Sequence, residues 1–473
     1  MFREDPEPPS PDLSASCQTT QPNHALRADP ALPFLEMAWS PSQMQQFLNH
    51  RVLPAVWPGQ HVTAVAIEDT AYKPGKECEI LYSLQFADPA RGQSRWVAVT
   101  FANENKLGKI YRHYSGGDAV AQPTPCPVVC LPEYGCLVEF FPRDWALPYL
   151  ARALEPREVV SLLSEGGAEA EQSRGLPKIE VLRYRCHSRC VLRYTLDAPD
   201  GSGPQEVIGK VYDSGSLAVE MAQIQNVLHA QAAACGLIIP KPLKVIEEWG
   251  LLLMERVPGT SVKPLMRQAR VPQQLTEVIG LAAAALASLH RLRFESQEVQ
   301  SLQTRVKDFR KRAASFHLIV PLLAQQADTL LRQIRRLGAR STTVAPSFLH
   351  GDFSPSQLLM DKGQIAVVDF DSVCLGDPAI DVGKFMAKLH RSAVASRAGD
   401  EFRQLATYFL SEYQARLPEN RVAERIHLFL SASLVRLALR EFEKNPHDYG
   451  QAGPDSLPAL LLQEAAACLN HNA

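Results

Sequence analysis

The spacing of apolar positions changes character along the chain. Short runs alternating apolar and polar residues predict strands over 61–67, 79–86 and 96–100, with Pro89 and Gly92 marking a turn. Two further runs, Gly108-Lys109-Ile110-Tyr111 and Tyr134-Gly135-Cys136-Leu137-Val138, flank a proline-rich link that extends through Pro127. The same pattern then returns: strands over 179–184, 191–196 and 206–212, a helix over 217–234, and the apolar run Leu251-Leu252-Leu253. A helix start precedes each set. Ser40-Pro41 opens a short helix to about residue 53, and Pro156 precedes a helix over 157–163. Beyond Gly259 the period becomes helical, over 275–292, 306–337 (one helix or two), 382–389, 401–417, 422–442 and 458–470.

The two β-rich sets resemble each other in detail. Tyr72, Cys78 and Tyr82 recur at one constant offset as Tyr184, Cys190 and Tyr194. Gly108-Lys109-Ile110-Tyr111 echoes Gly209-Lys210-Val211-Tyr212, and Tyr134-Gly135-Cys136 echoes Trp249-Gly250-Leu251. One supersecondary unit used twice explains this. The copies are expected to differ in one respect. The second has a helix after its lysine, whereas Pro123, Pro125, Pro127 and Pro132 rule out a comparable helix in the first and leave Lys109 without a helix-borne partner.

Composition narrows the function only by exclusion. A formal charge of −2 over 473 residues gives no reason to expect nucleic acid or an anionic membrane as partner. The 10 cysteines include no C-x-x-C and are spaced irregularly for zinc, so reduced thiols and a cytoplasmic setting are expected. Residues 1–38, acidic and rich in Pro and Ser, read as a disordered tail without a secretory signal. The apolar helix around 278–289 is too short to span a bilayer.

The candidate chemistry lies between Phe348 and Lys384. Two apolar runs end in His350-Gly351-Asp352 and Asp369-Phe370-Asp371, and Asp361-Lys362-Gly363-Gln364 between them fits a hairpin turn. That hairpin would bring Asp352, Gln357 and Asp369 to one mouth. Phosphoryl transfer needs such a set: a carboxylate to orient an attacking hydroxyl, and oxygen ligands for Mg²⁺. Acidic residues at strand ends also cap turns. Here both motifs occur in order and are followed by Gly376-Asp377-Pro378 and Asp381.

This stretch resembles the aminoglycoside phosphotransferase and choline kinase superfamily, small-molecule kinases with the protein-kinase fold. Gln357, in place of the usual Asn, is similar to the variant in maltokinase-like members. The resemblance implies an α+β, protein-kinase-like two-lobe fold, preceded here by a degenerate repeat of the small lobe. It divides the chain into the tail (1–38), the degenerate repeat (39–154), a small lobe with hinge (155–258) and a helical lobe (259–473). By resemblance Asp352 is the catalytic base, Asp369 and Gln357 hold Mg²⁺, and Lys210, paired with Glu220, grips the phosphates of ATP. The Glu255 carbonyl and Val257 amide would meet adenine. Ser188 and Arg189, in the turn that replaces a glycine-rich loop, are further phosphate candidates. His350 reads as a structural hydrogen-bonder, and Asp371 as a metal-binding or backing residue. Glu441 and Glu443 are either contacts for a cationic acceptor or a solvated face.

The expected activity is transfer of a phosphate from ATP to a hydroxyl of a small molecule such as a sugar or aminoglycoside. A catalytically silent nucleotide-binding scaffold is the rival reading, and nucleotidyl transfer a third. The acceptor and the oligomeric state are not legible in the sequence.

Overall fold

The computed structural model describes residues 27–88, 96–115, 127–163, 175–197, 204–268, 275–296, 299–340, 344–396, 398–446, 449 and 453–470. Most of the predicted tail and the turn expected at Pro89 and Gly92 lie outside these residues. Two five-stranded antiparallel sheets share one strand order. The first comprises β1 (Val62–Lys73), β2 (Glu77–Phe86), β3 (Trp96–Ala102), β4 (Val128–Leu131) and β5 (Cys136–Phe140), arranged β1-β2-β3-β5-β4. The second comprises β6 (Lys178–Arg185), β7 (Arg189–Asp197), β8 (Pro204–Tyr212), β9 (Pro242–Ile246) and β10 (Leu251–Glu255), arranged β6-β7-β8-β10-β9. Register repeats too. Tyr72 pairs with Cys78 across the first hairpin, and Tyr184 with Cys190 across the second.

The duplication extends further upstream than the apolar pattern indicates. Asp29 accepts from the Tyr72 hydroxyl (2.8 Å), the Gly75 amide (2.8 Å) and the Ala31 amide (3.0 Å). Asp144 accepts from the Tyr184 hydroxyl (2.8 Å), the His187 amide (2.8 Å) and the Ala146 amide (2.9 Å). The Tyr82 hydroxyl then donates to the Ala38 carbonyl, and the Tyr194 hydroxyl to that of Ala153. Each unit therefore begins with an aspartate that clamps its own first hairpin. The matching segments are Asp29-Pro30-Ala31-Leu32-Pro33-Phe34-Leu35 and Asp144-Trp145-Ala146-Leu147-Pro148-Tyr149-Leu150. The tail expected over 1–38 consequently ends earlier, since Asp29, Leu32, Leu35 and Ala38 are buried.

The glycine-lysine echo is a second correction. Gly108-Lys109-Ile110-Tyr111 lies in a helix, α1 (Glu104–Ser115), which starts directly after β3 with the Asn103 carboxamide capping the Lys106 amide at 2.9 Å. Leu107 and Ile110, three apart, are buried while Tyr111 is exposed, a helical and not a strand periodicity. The first copy thus has a helix where α2 (Gly215–Ala232) stands in the second. Phe101 faces Cys78 as Val211 faces Cys190, so Thr100 occupies the place of Lys210.

The remainder is the expected helical lobe, giving an α+β architecture in which two like five-stranded sheets precede a mainly helical part. Its site-forming elements are α3 (Leu302–Ser315), the hairpin β11 (Leu358–Asp361) and β12 (Gln364–Val367), α4 (Ala379–Val394) and α5 (Ile426–Lys444). The β11–β12 turn is the predicted one: Asp361 pairs with Gln364 across Lys362 (φ 45°) and Gly363 (φ 79°). Positive φ at both central positions matches the twist of a two-residue hairpin. Apolar residues of the first sheet, including Val62, Tyr72 and Val138, merge with the core of the helical lobe, while Leu81 and Ala98 join the core under the second sheet.

Candidate active site

The loop after the short strand Ser347–Leu349 is fixed from below. Asp381, in the first turn of α4, is fully buried and accepts from the backbone amides of His350 (2.7 Å) and Gly351 (3.1 Å). Burial alone would raise its pKa, but His290, with further help from His350 and Lys384, outweighs that and keeps the carboxyl below its usual range. The His350 ring spans the loop, with Nε2 3.1 Å from the Val368 carbonyl and Nδ1 3.3 Å from the Asp352 amide. That is the structural part the sequence assigned it. Gly351 has φ 74°, and a Cβ there would stand 1.9 Å from the Ser372 carbonyl oxygen. Only glycine fits this crossing.

These constraints leave Asp352 pointing into the mouth, its side chain 45% exposed and paired at 2.7 Å with Lys384 Nζ, which also donates to the Gly351 carbonyl at 2.5 Å. Burial pushes the Asp352 pKa up and Lys384 pulls it further down, so the carboxylate is ionised at neutral pH. Gln357 Nε2 lies 3.4 Å from Asp352 Oδ2 and 3.2 Å from Asp369 Oδ2. The expected convergence of Asp352, Gln357 and Asp369 is present in the structure. Asp369 has φ 69°, a left-handed conformation that costs a non-glycine residue roughly 1–3 kcal/mol and concentrates at functional sites.

Opposite this corner the second sheet supplies two cations. Lys210 Nζ lies 2.7 Å from Asp369 Oδ1 and 2.6 Å from Asp371 Oδ1, and the Tyr212 hydroxyl donates to the same Asp371 oxygen at 3.0 Å. Arg189, at the start of β7, bonds both aspartates, reaching Asp369 Oδ2 at 3.0 Å. Burial raises the pKa of Asp369, but Lys210 and Arg189 prevail and lower it to about 2. The expected Lys210–Glu220 pair is absent. Glu220 points to solvent because α2 buries Ala218, Met221, Ala222 and Gln225, which lie on another face. Ser188 is exposed in the β6–β7 turn, and Glu255 and Val257 end the second sheet where the chain passes to the helical lobe.

Magnesium takes hard oxygen ligands. Asp369, Asp371 and the Gln357 carboxamide place such donors in one corner, with the amide orientation open to a half turn that exchanges its nitrogen for its oxygen. The donor set fits the ion.

Residues 193–420 match the sequence model of the phosphotransferase enzyme family. No curated protein matches the chain. Among solved structures, the chain is similar to a thermostable mutant of the aminoglycoside phosphotransferase APH(4)-Ia in its apo form. Identity is 16% over 64% of this chain and 97% of that one, with a TM-score of 0.43. It is also similar to choline kinase from Cryptosporidium parvum, at 12% identity over 67% of this chain and 97% of that one, TM-score 0.47.

The second sheet is joined to the first at the β6–β7 turn. His187 there has φ 56°, and its buried ring inserts between two first-sheet carboxylates. Nε2 lies 2.8 Å from Glu139 Oε2 and Nδ1 3.5 Å from Glu79 Oε1. Burial opposes a charged ring, yet the two glutamates outweigh it and hold the imidazole well above its ordinary pKa. Glu139, fully buried, also accepts from the Tyr114 hydroxyl and the Trp145 amide. The first copy thus grips the β6–β7 turn of the second. Lys384, Tyr212 and this junction were missed from sequence. Lys384 was the most accessible of the three, lying three residues after Asp381 on the same helical face.

Proposed function

We propose that this chain transfers the γ-phosphate of ATP to a hydroxyl group of a small molecule. The observation that carries the reading is the placement of Asp352, Gln357 and Asp369 at one mouth with Lys210 and Arg189 facing them, all but Arg189 within the residues that match the phosphotransferase family model. Asp352 is ionised and open enough to accept a proton. It would orient the acceptor hydroxyl and take its proton as the oxygen forms a bond to the γ-phosphorus. The bond from that phosphorus to the β,γ-bridging oxygen breaks, and its electron pair leaves with ADP. Lys384 holds the Asp352 carboxylate in place. Lys210 and Arg189, which balance Asp369 and Asp371 here, would turn to the phosphates. Mg²⁺, held by Asp369, Gln357 and Asp371, would neutralise phosphate charge. The Glu255 carbonyl and Val257 amide are proposed to receive adenine.

The scaffold reading gains some support from Arg189, which occupies both acidic groups in this arrangement. Calorimetry of Mg²⁺-ATP binding, paired with turnover of wild type, Asp352→Ala and Asp369→Ala, separates the two readings. Loss of the base should lower turnover roughly 10²–10⁴-fold with nucleotide binding retained, whereas Asp369→Ala should abolish Mg²⁺-dependent binding. Equal turnover in wild type and Asp352→Ala would remove Asp352 from the mechanism.

A further inference from the structure

Three helices converge beside Asp352, and each presents cations at helical spacing. On α4, Lys384, Lys388 and Arg391 follow one another at i, i+4 and i+7, so they share a face. Lys384 is committed to Asp352, and Arg391 makes a two-pronged pair with Glu441 at 2.7 and 3.0 Å. On α3, Arg312 makes a two-pronged pair with Glu443, which is buried. Both acidic residues that could have met a cationic acceptor are therefore already neutralised by arginines of the protein.

What remains beside the site is positive. Lys388, between the two committed cations of α4, has no ion pair or hydrogen bond of its own among the described residues, although Asp352 and Glu441 lie within its electrostatic reach. Arg305, seven residues or two turns before Arg312 on α3, likewise bonds no carboxylate among the described residues. Its guanidinium lies 5.7 Å from the centre of the Phe309 ring and within the field of Asp352 and Asp381. On α5, Arg436 feels Arg305, Arg312 and Glu443, and its Nη1 is fully buried with no hydrogen-bond partner. Burial presses on all three, and neighbouring cations add to it at Lys388 and Arg436. Burial lowers the pKa of Lys388 to about 8 and that of Arg436 to about 10, and it also lowers that of Arg305. A half-buried cation without a counter-charge is costly, and an unpaired donor adds its own desolvation cost. Lys388 stands one turn beyond Lys384, which pairs with Asp352, Arg305 lies in the field of the same carboxylate, and Arg436 lies in the field of Arg305; an anion received among them explains the grouping.

We propose that the acceptor carries an anionic group, a carboxylate or a phosphate, which Lys388, Arg305 and Arg436 receive while its hydroxyl meets Asp352. The proposal rests on the phosphotransferase reading above and deepens it. Neutral sugars lack the group these cations call for, and aminoglycosides and choline bring a charge of the wrong sign.

Calorimetry on the full chain tests this with defined probes. ADP with Mg²⁺ is titrated first, then orthophosphate and citrate into the ADP-saturated protein, with glucose and kanamycin as neutral and cationic controls. Orthophosphate or citrate should bind, glucose and kanamycin should not, and Lys388→Met should weaken the anion about tenfold or more, the scale of one charge-assisted hydrogen bond. Arg436→Met is the second variant, and ADP titrated into each reports whether its fold and nucleotide site persist. Phosphate and citrate differ in which anion they reward. Binding of neither, tighter binding of kanamycin than of both, or anion binding unaltered in both variants would overturn the proposal. Failure of ADP itself to bind would instead count against the kinase reading, and the anion titrations would still be decisive on the unloaded chain.

Discussion

The paired aspartates Asp29 and Asp144 offer a controlled experiment within one molecule. Each is buried and ties a tyrosine hydroxyl and a turn amide of its own hairpin at 2.8 Å. Replacing either by alanine strands one buried hydroxyl and one turn amide. At roughly 1–3 kcal/mol for each unsatisfied group, the loss should be about 2–6 kcal/mol in either case. Stability should therefore fall equally in Asp29→Ala and Asp144→Ala, as read by urea denaturation. Nucleotide affinity should not. Asp144 holds the turn that leads into Arg189, and Arg189 bonds Asp369 and Asp371, whereas the hairpin clamped by Asp29 carries no such residue. Asp144→Ala should weaken Mg²⁺-ADP binding about tenfold, some 1.4 kcal/mol, with Asp29→Ala close to wild type under conditions where both are folded. Equal weakening in both, or none in Asp144→Ala despite its lost stability, would refute the assignment of separate tasks to the two hairpins.

Two further outcomes concern pH. Asp369 has its folded pKa lowered to about 2, so its contribution to stability is present above the ordinary carboxylate pKa and is lost as pH falls from about 4 towards about 2. Asp369→Asn should flatten the acid limb of a denaturation profile, and an unchanged limb would show that the pairs with Lys210 and Arg189 do not hold in solution. Lys388 has its pKa lowered to about 8 by burial, with Arg391 and Lys384 adding to the effect and Asp352 and Glu441 opposing it. Anion affinity should therefore decline as pH rises through about 8, and Lys388→Arg, which stays charged, should remove that decline.

The β11–β12 hairpin was legible because its signals are local. A two-residue Lys-Gly turn fixes the register of β11 on β12, and register in turn brings the Gln357 end of β11 close to Asp369 just beyond β12. The copy relation was legible in outline and misread in detail. A shared Gly-Lys tetrapeptide suggested equivalent strands, but burial of Leu107 and Ile110 in α1 selects a helix, and register makes Thr100 the counterpart of Lys210. The Asp29 and Asp144 segments were the truer signal. They lay outside the alternating runs, one of them in what read as tail. Glu220 failed for another reason. A lysine side chain reaches several carboxylates, and the choice between them depends on which helix face packs inward, a tertiary fact that sequence spacing alone does not carry.

The merging of the first sheet with the helical core bears on how the chain reaches this state during synthesis. Val62 and Tyr72 leave the ribosome early, yet their apolar partners include residues of α5, and Asp69 meets Lys444 at 3.3 Å. The Arg27 amide similarly waits for the Ile319 carbonyl, 3.0 Å away in the finished fold. Domains usually fold as units in the order they emerge. Here the helix Pro41–Phe47 and Trp57 cover part of the leading sheet at once, but the part that faces α5 stays open until nearly the whole polypeptide is made, and contacts so distant in sequence close slowly. The nascent chain therefore carries an unfinished sheet for most of its translation, which makes the opening copy the segment with the longest exposure to chaperones and to aggregation.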